Sequence, residues 1–145
     1  MNPDEANAFN HHVTERFRAQ KGSGPLGEGL PFNADGLLLL THTGARTGTR
    51  RTNPLGFLVM PGGRLFVVAS FLGAPRNPDW YHNVLAHPEV TVELGTETFT
   101  ASASEPSEDA YPALWDEALA QWPFLDEHQA KAGRRIPLVE LTRLT

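Results

Sequence analysis

The chain has no cysteine among its 145 residues, which excludes disulfides, thiolate nucleophiles and cysteine-ligated metals together. Long apolar runs are missing too. No stretch approaches the ~20 residues that a membrane-spanning helix needs, and the start, MNPDEANAF, is acidic and lacks the apolar core of a secretory signal. These absences point to a cytoplasmic protein and leave peripheral membrane contact open. Basic residues are in deficit, 12 against 17 acidic, for a formal net charge of −5. A polyphosphate backbone demands a broad basic face, so nucleic acid is not an expected partner. Hydrolytic signatures are also absent: there is no G-x-S-x-G elbow, no H-E-x-x-H pair and no phosphate loop. The neighbours His11 and His12 would point to different sides of a helix, a poor spacing for sharing a metal, and no metal site is expected.

What is present is an ordinary globular composition, 40% hydrophobic and 20% charged, in a length that suits one domain. The expected organisation is a single unit over 1–145, with an N-terminal helix at 1–21, a linker at 22–36, and a barrel with covering helices at 37–145.

Against the acidic background one basic cluster is prominent. Between Leu37 and Ser70 three short apolar runs, Leu37 to Thr41, Leu55 to Val59 and Leu65 to Ser70, read as strands. A Pro61-Gly62-Gly63 turn joins the last two as a hairpin. The connection from Thr43 to Asn53 carries Arg46, Arg50 and Arg51 among glycines and hydroxyl side chains. Forked guanidinium donors on a Gly-containing turn suit phosphate or carboxylate; the same composition also suits a hairpin loop with solvated charges. Asn53-Pro54 leads into the second strand, with the Asn53 amide placed to read a ligand edge.

Phe9, Val13 and Phe17 recur every four residues after Pro3-Asp4-Glu5, which predicts a helix running to a Gly22-Ser23-Gly24 stop. After the irregular Phe71 to Pro78 segment, Asp79 to Ala86 reads as a two-turn helix ended by His87-Pro88. Val90 to Leu94 and Glu97 to Ser102 alternate as a second hairpin. A helix is expected from Ser107, a shorter one from Phe124 to Ala132 ending at Gly133, and a last strand from Ile136 to Leu141. Six short strands with a few helices point to a small closed β-barrel, because closure removes exposed edges. Ser70, at a strand end where a loop begins, is placed to face a ligand. Trp80, Tyr81 and Asn83 follow a Gly-Pro loop and serve either the core or a ligand.

Taken together, THTGARTGTRRTNPL, the VVAS strand end, GAPRNPDWYHNVLAHPEVTVEL and the late RRIPLVEL resemble the deazaflavin-dependent nitroreductase and quinone reductase family over roughly Leu37 to Leu141. The resemblance implies a mainly β, α+β fold: a six-stranded split β-barrel of the flavin-reductase kind, with an N-terminal helix and helices near the middle and the C-terminus. It also implies hydride transfer from reduced coenzyme F-420 to a small acceptor, a quinone, a nitroaromatic or an enone. By the same resemblance Arg46, Thr47 and Arg51 take the phosphate and acidic tail of the coenzyme. Asn53, Pro54, Val68, Ala69, Ser70, Phe71, Asp79, Trp80, Tyr81 and Asn83 fall in segments lining the deazaflavin. Trp122, Leu125 and His128 fall where relatives place the substrate wall. Ser70 would hydrogen-bond the ring or the acceptor, and His128 would donate a proton.

Ala45 stands where relatives commonly carry a basic residue and Phe71 where a lysine often follows the serine, so the tail site holds fewer charges. An FMN-dependent oxidoreductase on the same barrel and a non-catalytic deazaflavin-binding protein are the alternative functions. A homodimer is the expected assembly if the chain follows related flavin barrels.

Overall fold

Four consecutive leucines cannot share one face of a strand, since alternate side chains point to opposite sides. In the computed structural model, which describes residues 3–26 and 33–145, Leu38 and Leu40 enter the barrel interior while Leu39 lies under the N-terminal helix, and all three are fully buried. Both faces of this strand, β1 (Leu37–Thr43), are therefore covered, which explains why its pattern is continuous rather than alternating.

The remaining strands are β2 (Arg50–Met60), β3 (Arg64–Val68), β4 (Glu89–Leu94), β5 (Glu97–Ser104) and β6 (Leu138–Arg143). They close in the order β1-β2-β3-β6-β5-β4, every neighbouring pair antiparallel. This is the six-stranded barrel expected from the sequence, with helices α1 (Pro3–Ala19), α2 (Asp79–Ala86), α3 (Tyr111–Gln121) and α4 (Leu125–Ala132) around it. Among the described residues no helix is long and apolar enough to cross a membrane.

Three clusters hold the barrel. The interior packs Leu38, Leu40, Val67, Val92 and Ala101 against Trp80, Tyr81 and Val84 of α2. On the outside, α3 and α4 bring Tyr111, Leu114, Ala118 and Leu125 onto Leu58, Met60, Phe66 and Leu138. On the third side α1 lays Val13 and Phe17 over Leu39, Leu26 and Ala34. Arg18 fastens α1 to β4 through two bonds to Glu93 at 3.0 and 2.8 Å.

Several element boundaries differ from the sequence expectation. β2 starts at Arg50, five residues before the apolar run at Leu55, because Arg50 to Asn53 pair with Thr43 to Leu40 and extend the hairpin through polar residues. Pro54 is tolerated inside this strand because β3 pairs with β2 only from Phe57 onward, leaving that stretch with one free edge. The sixth strand starts at Leu138, so Pro137 precedes it, although the Pro137 carbonyl still accepts from the Ala69 N–H at 3.0 Å. α3 begins at Tyr111 because Ser107 to Ala110 form a turn in which the Ala110 N–H donates to Ser107 Oγ at 3.2 Å. The segment read as a linker, 22–36, falls partly outside the described residues at 27–32. Within the described part, Pro25 bridges Asn33, the Gly24 N–H donates to Asp35 Oδ2 at 2.9 Å, and Leu26 is fully buried.

Candidate functional site

The β1–β2 hairpin ends in a tight loop. The Gly44 N–H donates to the Thr49 carbonyl at 2.8 Å, and the Thr49 N–H donates to Thr47 Oγ1 at 3.2 Å. Thr47 therefore staples the loop from within. The three arginines differ in their side-chain contacts: on β2 Arg50 donates to Thr91 of β4 at 3.3 Å, whereas its neighbour Arg51, on the opposite face, and Arg46 in the loop are exposed and their guanidiniums have no hydrogen-bond or ion-pair partner among the described residues. Both line a cleft of about 430 Å³ together with Gly44, Ala45, Thr47, Asp79, His82 and Asn83. Of the residues singled out in the sequence, Arg46, Thr47, Arg51, Asp79 and Asn83 thus meet in one place.

Beneath this cleft is a histidine that the sequence reading missed. His42 is buried, and a hydrogen-bonded chain passes through it. The Ala45 N–H donates to Asn83 Oδ1 at 2.9 Å, Asn83 Nδ2 to His42 Nδ1 at 3.1 Å, and His42 Nε2–H to Asn53 Oδ1 at 2.7 Å. The Asn53 and Asn83 amides, expected to face a ligand, are spent on this chain. Burial pushes the His42 imidazole below its ordinary pKa; the Asn53 bond acts the other way, and Arg51 adds to the lowering. The signal for His42 was present in the sequence: it stands two residues beyond Leu40 and so shares the inward face.

The second part of the site forms where β3 ends. Ser70 Oγ and His128 Nδ1 lie 2.7 Å apart in a hydrogen bond, joining residues 58 positions apart. A 3-10 turn, Phe71–Gly73, leaves Ser70 and packs on α4. Gly73 makes that contact feasible: it has φ +75°, and a Cβ there would sit 3.0 Å from both Cα and O of His128. Trp122 stacks on Phe124 with centroids 5.5 Å apart, and the Phe124 ring meets His128 edge-on at 5.2 Å. Trp122 also lies over β2, where a Cβ on Gly56 would come within 2.9 Å of it. The aromatic wall is therefore Trp122, Phe124 and His128. Leu125 faces the core instead, since the α4 turn that presents His128 to Ser70 points Leu125 inward.

Arg134 secures this corner. Its guanidinium donates to Asn77 Oδ1 at 2.6 Å and to the carbonyls of Ser70, Ala74 and Ala69 at 2.9, 3.1 and 3.3 Å. The clamped segment is strained, because Phe71 and Leu72 have φ of 51° and 55°, in a region that bulky side chains rarely occupy. Phe71 is exposed, with the Arg76 guanidinium 5.4 Å from its ring centroid. The side chains of Trp80, Tyr81 and Ala69 belong to the barrel core, and Val68 packs on the α3–α4 side. The Tyr81 hydroxyl donates to Glu105 at 2.6 Å, and burial with that bond raises its pKa. Pro54 sits half-buried in β2 opposite Leu39.

A closed barrel of six antiparallel strands with helices packed on its outside defines the class by fold: a split β-barrel. The family model described as F420H(2)-dependent quinone reductase matches residues 11–143, and the chain belongs to that family. It is 37% identical over 126 residues to an F420H(2)-dependent quinone reductase of Mycobacterium tuberculosis, covering 83% of this chain and 82% of that protein. Among solved structures, an F420-H2 dependent reductase matches at 34% identity with a TM-score of 0.64, covering 73% of this chain and 93% of the other. A structure described as a domain-swapped dimer matches at 30% identity with a TM-score of 0.66, covering 97% and 99%. The fold and the family assign an oxidoreductase that depends on coenzyme F-420 and reduces quinones.

Proposed function

We propose that the Arg46/Arg51 cleft holds the anionic end of coenzyme F-420 and that the Ser70–His128 corner receives the quinone. The observation that carries this is the pair of guanidiniums, Arg46 in the hairpin loop and Arg51 at the start of β2, which border one cleft and have no side-chain partner among the described residues, in a chain of net charge −5. An acidic protein that keeps two adjacent cations unpaired around a cleft supports an anionic ligand there. β2 leads from Arg51 to Gly56 beneath Trp122, a path of about 17 Å at ~3.4 Å per residue. An extended molecule held by its acidic end would follow this strand toward the aromatic wall.

When bound, the reduced deazaflavin supplies a hydride. Reduction of a quinone to its quinol takes that hydride and one proton. Ser70 and His128 supply the proton, His128 passing it through the Ser70 hydroxyl or directly to the quinone oxygen, and solvent restores it. Trp122 and Phe124 cover the acceptor and exclude water. Arg134 keeps Ser70 in place by holding its carbonyl.

The test is oxidation of the reduced coenzyme, followed by loss of its chromophore, with quinones, nitroaromatics and enones as acceptors. The expected result is turnover with quinones. Binding of FMN alone would replace this proposal, and coenzyme binding without turnover would leave a carrier. Removing both cations as Arg46→Ala with Arg51→Ala should weaken coenzyme binding by about two to four orders of magnitude, since each charged hydrogen bond contributes roughly 1.5–3 kcal/mol. Equal affinity in the double variant would return the loop to solvated surface. Replacing His128 by Phe should lower turnover about a hundredfold or more with little change in coenzyme binding.

Two further readings go with this one. The match to a domain-swapped dimer over nearly the whole chain supports a homodimer, which light scattering checks against the monomer mass of 15.9 kDa. Phe71 and Leu72, exposed beside Ser70, support contact with a quinone-bearing lipid surface, which vesicle sedimentation checks.

A further inference from the structure

The chain of bonds through His42 has only one possible polarity. A backbone N–H can only donate, so the Ala45 N–H requires Asn83 to present its oxygen. Asn83 must then offer its NH2 to His42 Nδ1, which has to be the bare acceptor nitrogen. The ring proton therefore sits on Nε2 and meets Asn53 Oδ1. One backbone donor in the cleft loop thus determines the orientation of an amide and the tautomer of a buried ring.

We infer that His42 is the positioning residue of the coenzyme site, holding the Gly44–Thr49 loop against α2 only while its imidazole is neutral. Protonation puts a second N–H on the ring, at Nδ1, where it confronts the Asn83 NH2. Turning the amide to relieve that clash would set the same NH2 against the Ala45 N–H. No arrangement satisfies both ends, and the charged ring N–H takes the Asn83 oxygen in preference to the neutral Ala45 N–H, so the loop loses its bond to Asn83 and with it the fixed placement of Arg46. The charges that act on the ring come from two elements: Arg51 on β2 disfavours the imidazolium and Asp79 on α2 favours it. His82 on α2 and Arg46 in the loop border the same cleft. The ring's burial opposes protonation, so the device is at rest in neutral solution and responds on acidification.

This inference rests on the assignment of the cleft to the coenzyme, but its first test does not. In the protein without ligand, the imidazole 15N spectrum should show His42 as the Nε2–H tautomer at neutral pH. The amide signals of Ala45 and Asn83 should then titrate together with that ring. Coenzyme affinity should fall about tenfold on acidification through the His42 transition, the effect of one lost buried hydrogen bond. A His42→Phe variant should show the weaker affinity at both pH extremes.

Asn83→Asp gives the opposite sign. Its carboxylate still accepts from Ala45 but now also accepts from a protonated ring, so the His42 midpoint should move upward and the acid loss should vanish. An Nδ1–H ring at neutral pH, Ala45 signals indifferent to the histidine, or an unmoved midpoint in Asn83→Asp would each overturn the inference. If the parent protein binds no coenzyme at all, the proposed function falls, and the ring and Ala45 signals still decide the role of His42.

Discussion

Arg134 and its neighbour Arg135 are chemically identical and adjacent, yet the fold uses them differently. Arg135 pairs with Glu108 at 2.7 Å on the surface, a contact that salt and solvent reduce to little. Arg134 satisfies three carbonyls and the Asn77 side chain with one guanidinium, and it does so on a turn where Phe71 and Leu72 sit in the left-handed region. Such backbone persists only when its surroundings over-determine it. Replacing Arg134 by Met should therefore cost about 2–4 kcal/mol, read from denaturant melts, as the clamped carbonyls lose charged donors. Turnover should fall by more than the melts account for, because Ser70 is on the released segment. Lysine at 134 should rescue little, since a single ammonium cannot reproduce the fork. The strain itself is open to measurement. Leu72 is 76% exposed, so Leu72→Gly loses little packing, and relief of its φ should raise stability by about 0.5–1 kcal/mol in the same melts.

Among the elements, those with local signals were legible. The helix Asp79–Ala86 begins after Pro78 and stops before Pro88, and the sequence located it to the residue. β2 begins five residues before its apolar run, because Arg50 to Asn53 carry no apolar alternation and become strand only by pairing with β1. The same division runs through the site. Arg46, Thr47, Arg51, Asp79 and Asn83 were legible and share a cleft, whereas the Ser70–His128 bond depends on how closely α4 approaches the turn at Phe71–Gly73. Arg134 had no local signal separating it from Arg135. That dependence on approach gives an element-scale prediction at Gly73. A methyl group there would meet the His128 backbone at 3.0 Å, which is backbone rather than a flexible side chain, on a residue whose φ is already +75°. Gly73→Ala should push α4 off the turn, cost about 2–3 kcal/mol and lower turnover as severely as His128→Phe. Retained activity would show that α4 can give way without parting His128 from Ser70.

For the molecule as a whole, the buried titratable groups limit stability from both ends of the pH scale. Neutral His42 has a folded pKa below that of the unfolded chain, so the unfolded state binds more protons as pH falls below about 6.5. Stability is complete above that value and declines through the interval down to the folded pKa. Two tyrosines act at the other end. The Tyr111 hydroxyl donates to the Ile136 carbonyl at 2.5 Å, and burial pushes its pKa up to about 12; Tyr81, buried and bonded to Glu105, is raised as well. Above pH ~10 the unfolded chain surrenders these protons while the folded protein keeps them. The stability they contribute is therefore full below pH ~10 and is lost as pH rises toward their folded values. Both tyrosines join distant parts of the barrel, Tyr111 tying α3 to the segment entering β6 and Tyr81 tying α2 to the end of β5. Their ionisation should thus loosen the whole fold rather than one loop. Denaturant midpoints measured across pH should form a plateau that drops below about 6.5 and again above about 10. Tyr111→Phe should start from a lower plateau, having lost the bond to Ile136, and then decline less steeply on the alkaline side. An alkaline limb equally steep in the Tyr111→Phe, Tyr81→Phe double variant would mean that groups other than these two tyrosines set the upper limit.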